Sequence, residues 1–213
     1  MTNELIPITD EQAKAAQEIA KATGQGIEAA TVFVEYWASV VGTAPRDLFA
    51  LLLGDRLRHA RLRNLHKLQV DTEKILKRRG VKAAQKVSED IIVPLLEAAR
   101  TQDRAELQEL WARLLAAAMD PARSARFRME FIETIKQMEP LDALVLQELS
   151  QGASHQPNNR DYCARRLSVS PDQVEVSIEN LIRLKCVKSA GVTAPANAGL
   201  VAYGRTLLGA LND

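Results

Sequence analysis

The sequence predicts a mainly α-helical chain: a multi-helix N-terminal and central bundle, then three short helices closed by a short β-hairpin. Three observations carry that prediction. Apolar residues recur at Leu107, Leu110, Trp111, Leu114, Leu115 and Ala118, which is the i, i+3, i+4, i+7, i+8, i+11 stripe of an amphipathic helix. Only nine of the 213 residues are aromatic although 46% are hydrophobic, so the core must be mostly Leu, Ile, Val and Ala. Strand-like runs are confined to residues 186–189 and 200–203, on either side of the loop GVTAPANAG.

The elements follow in order. Thr9 and Gln12 have capping-box spacing, residues 10–23 are rich in good helix formers, and Gly24 and Gly26 offer an end. Residues 27–54 are the most apolar region, interrupted by Glu28, Glu35, Arg46 and Asp47. Its longest uncharged run is ten residues, from 36 to 45, against the roughly 20 that a membrane span needs. A buried helical hairpin is therefore expected, membrane association in an activated state stays open, and a stable transmembrane span is not expected. Residues 56–79 read as a basic helix with a narrow stripe of Leu57, Leu65, Leu68, Ile75 and Leu76, ending at Gly80. Asp103 and Glu106 suggest the start of the Trp111 helix, Asp120-Pro121 its end, and Phe127, Phe131, Ile135 and Met138 mark another helix. Trp111 reads as core rather than as a stacking platform.

The last third differs. Residues 141–149 form a helix, 160–167 a second, and Ser170-Pro171 starts a third with an N-cap and an N1 proline. Val174, Ile178, Leu181 and Ile182 are its expected inner face. Three helices followed by a hairpin is a winged-helix-like arrangement, so two domains are expected: helical 1–139 (basic helix 56–86, core helices 90–138) and winged-helix-like 140–213. A DNA-reading helix needs Arg, Lys, Asn or Gln over basic neighbours. Here the third helix shows Asp172, Gln173, Glu175, Glu179 and Asn180 before Arg183, with only Arg160, Arg165 and Arg166 in support, so its carboxylates would face phosphates. Protein contact or packing is the better use of this module.

A net charge of +1 excludes an indiscriminately basic or acidic protein. By segment the charge is −5 over 1–55, +9 over 56–86, −5 over 87–150 and +2 over 151–213. The central block holds the candidate anion- or partner-binding residues Arg56, Arg58, Arg61, Arg63, Lys67, Lys77, Arg78 and Arg79. Either neighbouring acidic helices neutralise them, or they meet an anionic partner, nucleic acid or membrane phosphate. A packing seam on the same helix also suits a protein partner or a homo-oligomer.

No phosphate-binding loop, dinucleotide fingerprint, zinc-ligand spacing or HExxH occurs. His59 and His66 share a helical face but stand about 10 Å apart, two turns of helix, and His155 is distant in sequence. Cys163 has no neighbouring base, and the pair Cys163 and Cys186 is no disulfide framework, which fits a reducing cytoplasm. No cofactor, metal or catalytic residue is expected, and an enzyme is not the favoured reading.

Three runs carry a family resemblance: GDRLRHARLRN (54–64), IVPLLEAARTQDRAELQELWARLLAAAMDP (92–121) and FIETIKQMEPLDALVLQEL (131–149). With the closing LVAYGRTLLGAL (200–211), they resemble the abortive infection alpha family of bacteria, over most of residues 10–211. The resemblance implies anti-phage defence and supplies no catalytic residue. The expectation is a defence protein that binds a host or phage component without catalysis. The alternatives are a nucleic-acid-binding winged-helix regulator and a membrane-associating effector.

Overall fold

The computed structural model describes residues 13, 16–17, 19–21, 24, 26–41, 58–152, 158–189 and 198–212. Among them nine α-helices, one 3-10 turn and one two-stranded sheet follow in chain order. The helices are α1 (Ile27–Val41), α2 (Arg58–Arg78), α3 (Glu89–Ala99), α4 (Ala105–Met119), α5 (Glu130–Lys136), α6 (Pro140–Ser150), α7 (Asn159–Leu167), α8 (Pro171–Arg183) and α9 (Ala202–Leu211). The 3-10 turn is Ser124–Arg126; β1 (Val187–Ser189) and β2 (Ala198–Leu200) pair antiparallel with Val187 opposite Leu200. The fold is thus mostly helical with a small C-terminal hairpin, as expected. The Thr9–Gln12 cap, the second half of the 27–54 hairpin and the loop 190–197 lie outside the described residues. None of the described helices is long and apolar enough to cross a membrane.

The core centres on α4. Trp111, Ala112 and every residue from Leu114 to Met119 are buried, so the helix is enclosed on all sides at its C-terminal half. It packs against α2, α6 and α9. Small side chains let α2 approach closely: Thr72 is fully buried and its hydroxyl donates to the Ala112 carbonyl at 3.5 Å. The α2 seam is Leu62, Leu65, Leu68, Gln69, Thr72, Ile75 and Leu76. Gln69 and Thr72 have no place in an apolar stripe, yet they occupy it.

Local chemistry explains the ends. Gly80 has φ +69°, the Gly80 N–H donates to Lys77 O, and the Val81 N–H reaches Leu76 O, both at 3.0 Å. This is a Schellman ending, and it needs the left-handed residue that glycine supplies without strain. Ser170 and Gln173 form the expected capping box: the Gln173 N–H donates to Ser170 Oγ at 3.2 Å and the Ser170 N–H to Gln173 Oε1 at 3.0 Å.

Three expectations are corrected. The α4 helix is entered through Arg104, not Asp103; the Arg104 N–H donates to Gln102 Oε1 at 3.1 Å, and Gln108 Nε2 returns to Gln102 O at 2.9 Å. The second strand is 198–200 rather than 200–203, because Tyr203 is drawn into α9 by distant partners. Its hydroxyl lies 2.6 Å from Thr134 Oγ1 and donates to Glu130 O at 3.1 Å, and its ring stands edge-on to Phe131. Finally, Ile182 is 38% exposed, and Ser177 takes the inward position between Val174, Ile178 and Leu181.

The α1–α2 contact leaves polar atoms unsatisfied. Phe33 stacks near both Trp37 and His66, with ring centroids 6.1 and 6.3 Å apart. Trp37 Nε1 and His66 Nδ1 are buried there without a hydrogen-bond partner among the described residues, each costing about 1–3 kcal/mol relative to a satisfied group.

Candidate functional site

The basic block was divided by folding into three groups. Lys67 and Lys74 are tied to one carboxylate within α2, Asp71, at 2.6 and 3.3 Å. Partial burial pushes the Asp71 carboxyl up, but the hydrogen bonds and charges of the two lysines outweigh it and hold it below the usual range. Together with Arg78 and Glu109 of α4 they line a groove of about 300 Å³.

Arg79 forms the second group with two arginines distant in sequence. Its Nη2 donates to the carbonyls of Leu211 at 3.0 Å and Asn212 at 3.5 Å. Arg113 donates to Leu211 O at 3.3 Å, and Arg123 donates to Asn212 O. Three guanidinium groups thus meet the C-terminal end of α9, whose unpaired carbonyls carry the negative end of the helix dipole. Arg79 therefore serves packing, and no sequence signal links it to residues 132 positions away.

The third group is open. Arg63, Lys77 and Arg78 on α2, and Lys82 and Lys86 in the following loop, are all exposed. Lys77, Lys82 and Lys86 form no ion pair with any described residue. Arg61 is half-buried and held by a neighbour. Arg56 and the side chain of Arg58 lie outside the described residues. Where α2 ends, residues 78–83 face residues 120–123 across an open cleft of about 590 Å³. Asp120 is buried within it; its Oδ2 sits 3.4 Å from Arg123 Nε and its Oδ1 accepts the Ala122 N–H at 2.9 Å. Lys74, Lys82, Lys86 and Arg123 were not singled out from the sequence. The lysines belong to the visible charge run, but Arg123 is brought to it by the α2–α4 packing alone.

In the C-terminal module two of the arginines are internally engaged, while Arg165, Lys185 and Lys188 are exposed. Arg160 bridges Asp161 at 3.1 Å and Glu175 of α8 at 2.7 Å, and Arg166 reaches Glu148 of α6 at 3.2 Å. The outward face of α8 carries Asp172, Gln173, Val176 and Glu179. Among the described residues no group of three or more His, Cys, Asp or Glu side chains is placed to hold a metal.

Both cysteines are free and fully buried. Burial, with the charge of Glu148 adding, pushes the Cys163 thiol up to about 11. Burial, with Asp142 adding, pushes Cys186 up to about 12. Neither is a thiolate nucleophile at neutral pH. Because folding raises both values, the fold favours the neutral thiols. Their contribution is fully present below the unfolded value of about 8.5 and is lost as pH rises towards 11–12. Alkylation by iodoacetamide at pH 8 should therefore be slow in the folded protein and fast in denaturant, and thermal stability should fall above about pH 9. Rapid alkylation of the native chain, with its melting temperature unchanged, would contradict the burial of these thiols.

Fold and site together define a helical bundle protein with a basic helix whose C-terminal end and following loop remain uncovered, joined to a small helix-and-hairpin module. A sequence profile of the abortive infection alpha family matches residues 60–199, and the chain belongs to that family. The match begins inside the first of the three runs quoted above and stops before the closing one. The family suggests abortive infection, a form of defence against phage. No curated protein and no solved structure matches the chain.

Proposed function

We propose that this protein acts in phage defence by binding an anionic host or phage component, without catalysis, through the uncovered basic surface at the end of α2. One observation carries the reading: Lys77, Lys82 and Lys86 stay exposed and form no ion pair with any described residue, although acidic segments flank the block in sequence. Unpaired lysines at this density repel one another, and an anion relieves that repulsion. The cytoplasm, where phage components accumulate, is the compartment this reading requires. A protein partner or a second copy of the chain bearing acidic residues would meet the same surface.

The order α6–α7–α8–β1–β2 supports a winged-helix-like description of residues 140–213. The ion pairs of Arg160 and Arg166 and the carboxylates on α8 favour packing or protein contact over DNA reading for that module. The membrane alternative draws its support from α1, where Ile27 and Val32 are 60% and 58% exposed.

The test is the triple variant Lys77→Glu, Lys82→Glu, Lys86→Glu. All three side chains are exposed, so the melting temperature should stay within a few degrees, about 1 kcal/mol being expected for reversing Lys77 against the helix dipole. Phage plating efficiency should return to that of cells lacking the protein. Full protection by a folded triple variant would rule the surface out.

A further inference from the structure

We propose that two copies of this chain pair about a two-fold axis, the α1 face of Ile27, Glu28, Val32 and Glu35 in each copy meeting the basic loop of Lys82 and Lys86 in the other. The proposal rests on the reading of the basic surface given above and adds a regulation to it, since the dimer and the anionic component compete for the same two lysines. Glu28, Val32 and Glu35 stand at i, i+4 and i+7, so one face of α1 carries two carboxylates about 10 Å apart along the helix with a valine between them. Ile27 and Val32 are exposed on that helix while Ala30, Phe33, Val34 and Trp37 are buried. No Lys or Arg occurs from residue 22 to residue 45, and neither Glu28 nor Glu35 forms an ion pair with any described residue. The loop has a matching spacing: the four residues from Lys82 to Lys86 span at most about 13 Å. Ala83 and Ala84, exposed between the lysines, are small enough to lie over Val32 of the other copy.

Folding sets the acidic helix and the basic loop side by side. The Val87 N–H at the end of the loop donates to Val40 O in the last turn of α1 at 3.1 Å. The end of α4 holds both elements: Met119 O accepts the Gln85 N–H at 2.9 Å, and Met119 Sδ accepts the Tyr36 hydroxyl at 3.8 Å. Even so, Glu35 and Lys86 do not pair within the chain. Glu89 and Asp90 follow the loop, but they stand in the first turn of α3, where the helix dipole favours them. A patch that joins an acidic stripe to a basic loop is complementary to itself, which is what a two-fold contact requires. Every pairing then forms twice, and the apolar residues of both α1 helices leave water together. The carboxylates beside Ile27 and Val32 would meet anionic headgroups in a bilayer, which disfavours a membrane as the cover for this face.

Sedimentation equilibrium of the full chain should show a monomer–dimer equilibrium whose dissociation constant rises about tenfold or more between about 50 and about 500 mM salt. Two double variants, Glu28→Lys with Glu35→Lys and Lys82→Glu with Lys86→Glu, should each be monomeric where the native chain is dimeric. All four side chains are exposed, so each variant should melt within a few degrees of the native chain. Mixing the two should restore a dimer to within about threefold of the native affinity, because each reversed face then meets its reversed counterpart. Glu28→Gln with Glu35→Gln, which keeps shape and removes only charge, should weaken the dimer even where the lysine variant fails to fold. The proposal is overturned by a native chain that stays monomeric at about 100 μM, by a dimer that survives both double substitutions, or by a mixture of folded variants that stays monomeric. Flotation of a monomeric chain with phosphatidylglycerol vesicles, abolished by Val32→Glu, would overturn it as well. A monomeric native chain beside a triple variant that loses protection removes the dimer and leaves the surface reading standing. A mixture that recovers the dimer beside a fully protective triple variant does the opposite.

Discussion

Gly204→Ala is expected to destabilise the protein by about 3 kcal/mol or more, the upper end of what an overpacked core residue costs. Gly204 lies in α9 where the helix crosses the start of the hairpin, and an added Cβ would stand 2.0 Å from the Cys186 carbonyl oxygen and 2.8 Å from its carbon. These are backbone atoms, so no side-chain rotation relieves the clash. The same carbonyl accepts the Val201 N–H at 3.2 Å, which joins the entry of α9 to the hairpin. Moving α9 away would also strain the arginine contacts at its far end, at Leu211 and Asn212. A fall in melting temperature of about 6–12 °C follows for a chain of this size. Gly209→Ala is the control within the same helix. Its Cβ meets nothing within 4 Å, and alanine's helix propensity should raise stability by about 0.5–1 kcal/mol. Equal melting temperatures for the two variants would show that α9 does not pack on the hairpin as described.

Trp111→Ala should cost about 3–5 kcal/mol, the usual penalty for deleting a large buried aromatic. The ring is 2% exposed and belongs to the one helix that packs on α2, α6 and α9 together. The cavity left behind would lie in a close-packed core that relaxes only partly around it. Denaturant titration should show a lower midpoint with an unchanged slope, and Trp111→Phe should fall between the variant and the native chain. A near-native midpoint for Trp111→Ala would return the residue to the surface as a stacking platform. That result would also reopen the nucleic-acid reading of the central helices.

Both results bear on function through position. The α9 end holds Arg79 and Arg123 in place, and α4 carries the chain to Asp120. Disturbing either should loosen the cleft beside Lys82 without touching that lysine.

Much of the architecture could be read from the chain because its causes are local. The spacing of Leu107 to Ala118, the Ser170–Gln173 cap, the N1 proline at Pro171 and the glycine after Arg79 each act within a few residues, and each appears where expected. The misreadings share one cause. Tyr203 looked like the end of a strand, but Thr134 and Glu130, about seventy positions earlier, hold it in a helix. Ile182 looked like core, but the hairpin and α6 cover the neighbouring stripe instead. Asp103 looked like a cap, but Gln102 offered a better acceptor.

The charge pattern divides in the same way. The sequence by itself determined that eleven basic residues would fall between 56 and 86, on a helix ending at Gly80. It also determined that their neighbours in the chain would be acidic. Only the tertiary structure decided which cations would be used up. The end of α9 takes Arg79, and Lys77, Lys82 and Lys86 are left to solvent, whereas Lys67 and Lys74 meet Asp71 through helical spacing within α2 alone. The physical reason is distance. Charges interact strongly over a few ångströms, and for residues far apart in the chain only the packing of helices sets that separation.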